Sequence, residues 1–363
     1  MMYIILQMND LIQPLSQKLP LNAGLTASAT SAIKDLLAEG ESANTRRSYQ
    51  SALRYWQAWY GLRYGQEVQW PLDVACVLQF IVDHAERQTS MGRQSELPES
   101  VDFALVKGGY KARLGPLAPN TLVHRIAVLS KYHQAQGWPN PCQDVHVREL
   151  LSRTRKAYAK RGEFAQKKDA LTKDLLQQLL HTCDDSLRGK RDRALLLFAW
   201  ASGGRRRSEV AQADMRFLRK VGDREYLYTL AHSKTNQYGR EAPENQKPVL
   251  GAAAIALQEW LQASGITSGA IFRRIRKGDQ VAEPLSPAAV RNIVKMRCEL
   301  AGLEGDFSAH SLRSGFVTEA GKRNVPLPDT MALTGHHSVA TVLGYFRADS
   351  AVRNQAARMM DDD

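Results

Sequence analysis

The order of hydrophobic and polar residues along the chain predicts a protein built mainly from amphipathic helices. Between residues 44 and 60, Tyr49, Leu53, Trp56 and Trp59 recur at spacings of three and four, which places them on one helix face. The same periodicity, with polar caps and glycine stops, predicts further helices over 24–40, 71–88, 118–136, 144–159, 171–182, 189–202, 251–263, 287–301, 308–322, 327–334 and 337–345. In helix 24–40 we expect Ile33, Leu36 and Leu37 to be buried.

Only one part of the sequence is typical of β-structure. Residues 224–231 and 247–250 predict two strands of a small sheet, separated by a turn. Residues 89–118 are interrupted by Gly, Pro, Ser and Lys, which predicts a long loop with one short helix near 100–108. The predicted fold class is therefore mainly α with a small antiparallel β-sheet.

The composition changes near the middle of the chain. Between 151 and 170, seven Lys or Arg residues face only Glu163 and Asp169, which predicts a basic helix end running into an extended linker. The predicted organisation is a flexible N-terminus 1–23, a helical domain 24–160, a basic linker 161–170, a second domain 171–345 and a tail helix 346–363.

The charge of the chain indicates a polyanionic partner. A chain of 363 residues with 44% hydrophobic and 24% charged residues is typical of a folded protein, and its net charge is +12. The four cysteines form no CxxC pair, which favours a reducing compartment over a zinc site or a disulfide framework. No apolar run of about 20 residues occurs, so we expect a soluble, cytoplasmic, nucleoid-associated protein without a membrane partner.

The chemistry is concentrated near the C-terminus. His310 and Arg313 are three residues apart and share one helix face, and Tyr345 follows His336 by nine positions. A phenol with an ordinary pKa of about 10 is a poor nucleophile at neutral pH. Basic neighbours would favour the phenolate and bind a phosphate, so this set favours phosphoryl transfer over proton chemistry.

Two further cationic positions precede this set in the chain. Three consecutive arginines, Arg205 to Arg207, follow a pair of glycines and open a predicted helix, and Lys234 lies in the turn between the two predicted strands. In type and order, all of these residues resemble the motifs of the tyrosine recombinase family. The matching positions are Arg206, Ser208, Glu209, Lys234, His310, Arg313, Gly335, His336 and Tyr345.

Two departures bear on the assignment of residues. The arginines are consecutive, and Arg206 is chosen as the catalytic one from its distance to Glu209. His337 stands beside His336, and His336 is chosen as the catalytic histidine from its spacing to Tyr345. Some family members have tryptophan at the position of His336.

The resemblance implies a chemical role for each position. Arg206 and Arg313 would hold the phosphate oxygens in paired hydrogen bonds while Tyr345 attacks, and Lys234 would protonate the leaving 5′-oxygen. A 3′-phosphotyrosyl intermediate stores the bond energy, so the resemblance implies neither a metal nor another cofactor.

The remaining histidines and the carboxylate have supporting roles in this scheme. His310 would act as a base toward Tyr345, His336 would donate a hydrogen bond to the phosphate, and Glu209 would support the arginines.

The resemblance also implies the partners. A helical core-binding domain of SAM-like type and the catalytic domain would form a C-shaped clamp around double-stranded DNA bearing an inverted repeat. Four copies would pair two sites, with each tail helix docked on a neighbouring protomer. The candidate DNA-contacting residues are Arg46, Arg47, His124, Arg125, Arg153, Arg155, Lys156, Arg205, Arg291 and Lys295.

Two alternatives remain open from the sequence alone. A type IB topoisomerase uses a similar set of residues and relaxes DNA without a partner site; the two-domain layout and the helix after Tyr345 favour recombination. A non-catalytic DNA-binding accessory protein is disfavoured because all the presumed catalytic residues are present.

Overall fold

The computed structural model describes residues 27–163, 168–230 and 245–345. The chain forms two compact units, residues 1–165 and 166–363. The predicted flexible terminus 1–23 and tail helix 346–363 lie outside the described residues. In the part of the chain that is described, no helix is both long and apolar enough to cross a membrane.

The first unit is a helical domain with one small hairpin. Its helices are α1 Ala27–Gly40, α2 Ala43–Tyr64, α3 Val74–His84, α4 Glu99–Lys107, α5 Pro119–Gln136 and α6 Val145–Lys160. The core forms where the aromatic face of α2 meets α3: Trp56 stacks on Phe80 with ring centroids 3.7 Å apart, and Trp59 packs edge-on against the same ring. Trp56 and Trp59 are fully buried, as the helical periodicity predicts.

The prediction of a buried stripe on α1 is wrong for two of its three residues. Ile33 and Leu36 are 41% and 68% exposed. Helix α2 begins directly after Ser42, and its aromatic face packs against residues of α3 and α5. The apolar stripe of α1 is not part of that core. The side chain of Leu37 lies outside the described set.

The region predicted as a loop contains more structure than the sequence indicates. Strands β1 Arg87–Thr89 and β2 Gly92–Gln94 form an antiparallel hairpin. Helix α4 confirms the short helix expected near residues 100–108. The hairpin strands are short, polar and largely exposed, so they lack the alternation that identifies a strand.

The second unit combines eight described helices with a three-stranded sheet and a separate hairpin. Its helices are α7 Lys173–His181, α8 Leu187–Ala201, α9 Arg207–Ala211, α10 Ala252–Ser264, α11 Pro287–Leu300, α12 Ala309–Lys322, α13 Leu327–Thr334 and α14 Val339–Leu343. Its strands are β3 Leu218–Gly222, β4 Glu225–Thr229, β5 Gln246–Leu250, β6 Arg273–Arg276 and β7 Gln280–Pro284.

The sheet has the antiparallel order β3-β4-β5, and β6 and β7 form a separate hairpin. Strand β4 pairs with β5 so that Tyr228 lies opposite Lys247. The predicted strands 224–231 and 247–250 correspond to β4 and β5, whereas β3, β6 and β7 are additional. The observed fold is mainly helical with small antiparallel sheets, as expected.

A buried ionic cluster connects α8 to α11. Asp192 is fully buried and accepts hydrogen bonds from Arg191 Nη2 at 2.6 Å and from Arg297 Nη2 at 2.6 Å. Arg297 also donates to the carbonyl of Thr182. Because the buried carboxylate is paired with two cations, its desolvation cost is offset, and α11 is fixed in position along α8.

Candidate active site

The second unit brings the C-terminal tyrosine onto the first turn of α12. Tyr345 follows the end of α14, and its hydroxyl lies 3.1 Å from Nε2 of His310. The Tyr345 ring is also near His336, with centroids 5.8 Å apart. Thr318, further along α12, donates a hydrogen bond to the backbone carbonyl of Tyr345 at 3.4 Å. The tyrosine is therefore held at both its backbone and its hydroxyl.

The neutral form of His310 is favoured by its surroundings. Its ring is partly withdrawn from solvent, although the residue as a whole is exposed. This burial and the positive charges of Arg313 and Arg206 lower the pKa of His310 below its ordinary value. A neutral imidazole at hydrogen-bond distance can accept the proton of the Tyr345 hydroxyl.

Arg313 lies one turn after His310, and its guanidinium is buried. Its Nη1 donates to the carbonyl of Gly204 at 3.2 Å, and its Nε donates to Nε2 of His336 at 3.3 Å. Burial and the charge of Arg206 lower the pKa of Arg313 to about 10, so the group stays cationic at neutral pH. Its Nη2, which carries two N–H groups, is buried and has no hydrogen-bond partner among the described residues.

His336 is oriented by a chain of hydrogen bonds. It follows Gly335, the left-handed cap of α13, and its Nδ1 lies 2.8 Å from Oγ1 of Thr334, which donates to the Thr330 carbonyl. Because Nε2 accepts from Arg313, the proton of the neutral ring is on Nδ1. Burial, followed by the charges of Arg313 and Arg206, lowers the pKa of His336 to about 4. Nε2 is an acceptor in this arrangement, so donation to a phosphate stays a prediction.

The two neighbouring arginines of the glycine turn have different environments. The Arg206 side chain is 27% exposed and donates from Nη1 to Glu209 at 2.6 Å. The Arg205 side chain is 2% exposed, donates from Nη2 to the Leu333 carbonyl at 2.7 Å and lies 3.7 Å from Glu209. Burial alone would raise the pKa of Glu209, but Arg205 and Arg206 together lower it below its ordinary value.

Arg205 therefore differs from the exposed candidates for DNA contact. Its guanidinium is directed into the protein, toward a helix carbonyl and a carboxylate, and its contact with DNA stays a prediction. Arg206 is the more exposed of the two arginines.

Two glycines allow these segments to approach one another. Gly204 has φ +66°, and a Cβ atom built on it would lie 2.3 Å from Cα of Arg313. Gly203 has φ +94°, and its Cβ would lie 2.4 Å from the Leu333 carbonyl oxygen. Both the positive φ and the close approach require glycine. The sequence indicates only a helix break at these two glycines, so it does not predict their role in the close approach. It also does not predict that Thr334 orients His336.

The remaining predicted catalytic residue cannot be placed. Lys234 belongs to residues 231–244, outside the described residues. Within the described ranges, no three His, Cys, Asp or Glu side chains are grouped so that they could hold a metal ion.

Most of the predicted DNA-contacting residues have exposed side chains. In the first unit these are Arg46, Arg47, His124, Arg153, Arg155 and Lys156, and in the second unit Arg291 and Lys295. His124 of α5 bonds to Ser48 of α2 at 2.9 Å, which joins the exposed starts of these two helices.

Arg125 is placed differently from the other candidates. Its guanidinium stacks 3.3 Å above the ring centroid of Tyr55, and burial lowers its pKa to about 10. Much of its side chain therefore packs within the first unit.

Comparison with known proteins places the chain in a family. A family model described as the phage integrase family matches residues 169–351. The integrase/recombinase XerD homolog of Selenomonas ruminantium is 31% identical over 250 residues, covering 66% of this chain and 72% of the relative. The recombinase Cre of Escherichia phage P1 is 24% identical over 263 residues, covering 68% and 76%.

Solved structures agree in fold. A lambda integrase dimer bound to a COC′ core site matches with a TM-score of 0.52 at 16% identity, over 89% of this chain and 96% of that one. The Tn1549 transposon integrase in complex with transposon right-end DNA matches with a TM-score of 0.54 at 14% identity, over 93% and 100%.

The family model matches just over half of the chain, and this chain therefore belongs to the phage integrase family, the tyrosine recombinases, which break and rejoin DNA strands.

Proposed function

We propose that this protein is a site-specific recombinase in which Tyr345 attacks a DNA phosphate and forms a 3′-phosphotyrosyl intermediate. The observation that carries the proposal is the 3.1 Å contact between the Tyr345 hydroxyl and His310 Nε2, beside the buried Arg313 with its unpaired Nη2 donor. A nucleophile, a proton acceptor and a cationic phosphate ligand thus meet in one place.

The proposed cleavage step gives each of these residues a role. His310 takes the phenolic proton as the tyrosine oxygen bonds to phosphorus, and the bond from phosphorus to the 5′-oxygen breaks. Arg206 and Arg313 stabilise the added negative charge on the phosphate, a contribution typically of about 3 kcal/mol per donor. Lys234 supplies the proton that the leaving 5′-oxygen needs.

Rejoining is the same step in reverse. The 5′-hydroxyl of a partner strand attacks the phosphotyrosine and gives its proton to Lys234. The bond between phosphorus and the tyrosine oxygen breaks, and Tyr345 regains its proton from His310. The phosphodiester energy is conserved in the covalent intermediate, so one DNA strand is exchanged for another without an external energy source.

The proposed partner is double-stranded DNA that carries an inverted repeat, bound by four copies of the chain on two sites. The net charge of +12 and the exposed cations of α2, α6 and α11 support binding to the phosphate backbone. Similar proteins are named as a XerD homolog and as Cre, and the matching lambda integrase structure is a dimer on a core site. Integration, excision or resolution of DNA would use this same chemistry.

The test is covalent capture on DNA. The DNA that flanks the coding region is searched for inverted repeats. Fragments that cover this DNA, each with a nick beside the repeat, are incubated with the protein and analysed in SDS gels. The wild type should give an SDS-stable adduct, and Tyr345→Phe should bind the same fragment without forming one. Tyr226→Phe removes the hydroxyl of a buried tyrosine in the same unit and should still give the adduct. An adduct formed by the Tyr345→Phe protein would show that another residue is the nucleophile.

A further inference from the structure

The C-terminal end of α13 receives two buried cations from distant parts of the chain. Lys247, on β5, is 1% exposed and donates from Nζ to the Ala332 carbonyl at 2.7 Å. Arg205 donates to the next carbonyl, that of Leu333, also at 2.7 Å. We call these two side chains and two carbonyls the α13 clasp.

The clasp provides partners for carbonyls that a helix end leaves unpaired. The N–H groups of Gly335 and His336 both return to Met331, so Ala332 and Leu333 receive side-chain donors instead. The last carbonyls of a helix carry partial negative charge, which favours cations at this end.

The clasp joins parts of the chain that are close in sequence to proposed catalytic residues. Arg205 precedes Arg206 directly, and His336 follows Leu333 by three residues. Lys247 is on the strand that follows residues 231–244, the segment that contains Lys234. Arg205 therefore fastens the turn that contains Arg206 to the helix end that precedes His336, and Lys247 fastens strand β5 to the same helix end.

Capping a helix end is a structural role, but these two donors also connect that end to two distant parts of the chain. Burying a cation costs free energy, and an apolar side chain in its place would leave the carbonyl without a donor. What an apolar residue lacks is a directed bond to one chosen carbonyl. We propose that Lys247 and Arg205 are positioning residues, which set the place of His336 relative to Arg206 and Arg313; this rests on the catalytic roles proposed above.

The test is a double-mutant cycle on the rate of cleavage. Lys247→Met keeps the length and burial of the side chain and removes the bond to Ala332. We measure the single-turnover rate of covalent adduct formation on the nicked DNA site, with the DNA dissociation constant measured separately. Lys247→Met should slow adduct formation by about tenfold to a hundredfold with an unchanged dissociation constant, because displacement of a reacting group by about 1 Å can cost a hundredfold in rate.

The second half of the cycle separates an effect on the position of His336 from a general loss of structure in the catalytic unit. In a His336→Ala background, Lys247→Met should have little further effect, because the residue it positions is absent. Val249→Ala, which truncates another buried side chain of β5, serves as the control and should cleave at the wild-type rate.

Three results would overturn the inference. An unchanged rate for Lys247→Met, or an equal slowing in both backgrounds, contradicts positioning while leaving the proposed function intact. A wild-type rate for His336→Ala instead removes the proposed role of His336, and the inference with it. If Lys247→Met does not fold by circular dichroism, the cycle is run with Arg205→Lys, which keeps the charge but cannot reproduce the guanidinium contacts.

Discussion

Replacement of Gly204 by alanine isolates the close approach on which the site depends. The added Cβ would lie 2.3 Å from Cα of Arg313, whereas an ordinary contact begins near 3.4 Å, so the two backbones must separate by about 1 Å. That separation moves Arg206 away from Arg313 and stretches the hydrogen bond from Arg313 Nη1 to the Gly204 carbonyl. A displacement of about 1 Å at a reacting centre can lower the rate by about a hundredfold.

A second glycine provides the matched control. Gly265, after α10, has the same φ of +66°, but a Cβ there meets nothing within 4 Å. Both substitutions carry the left-handed strain of about 1–2 kcal/mol, and only Gly204→Ala adds the collision. Both proteins should unfold at lower denaturant concentration than the wild type, but only Gly204→Ala should lose adduct formation in single-turnover cleavage. Equal cleavage rates for the two folded variants would refute the reasoning.

Four further outcomes are expected. Arg206→Lys should retain DNA binding in gel shifts but lose most single-turnover cleavage, since an ammonium cannot make paired contacts with the phosphate; cleavage near the wild-type rate would exclude that role. Lys234→Ala should cleave a 5′-bridging phosphorothiolate far better than the oxygen substrate, because a thiolate leaves without a proton; equal defects would remove Lys234 as the acid. The pKa of His336 is lowered from 6.5 to about 4, so between these values the unfolded state binds more protons than the folded state. Stability should therefore fall as the pH is lowered from about 6.5 to about 4, and His336→Gln should flatten the pH dependence of the urea midpoint. Truncation after Arg347 should spare one-site DNA binding but abolish two-site complexes and recombination in gel-shift series, and normal synapsis would contradict docking of the tail on a neighbour.

The helices and the shared helix face of His310 and Arg313 could be predicted from local sequence. The apolar spacing in α2 and the capping residues of α12 are local signals, and the spacing of His310 from Arg313 specifies one helix face. The pairing of His310 with Tyr345 was expected only from the resemblance, because no local rule brings residues 35 positions apart to 3.1 Å.

The environments of the charged residues could not be predicted in this way. Arg205 and Arg206 are the same residue type in the same turn, and only the first is directed to a carbonyl 128 positions later. The sequence around Lys247 is typical of a strand with a solvent-exposed lysine. The side chain is buried instead, and it donates to the Ala332 carbonyl at the end of α13. These differences depend on long-range packing, which neither periodicity nor composition records.

Helix α11 separates the charges that hold the protein together from those that face outward. Its inner side carries Val290, Val294 and Arg297, the last fixed by Asp192, while Arg291 and Lys295 stand in solvent on the other side. Exchanges on the outer side leave the inner contacts untouched, so they cost little in stability. The outer face of α11 can therefore change its charge without disturbing the core beneath it.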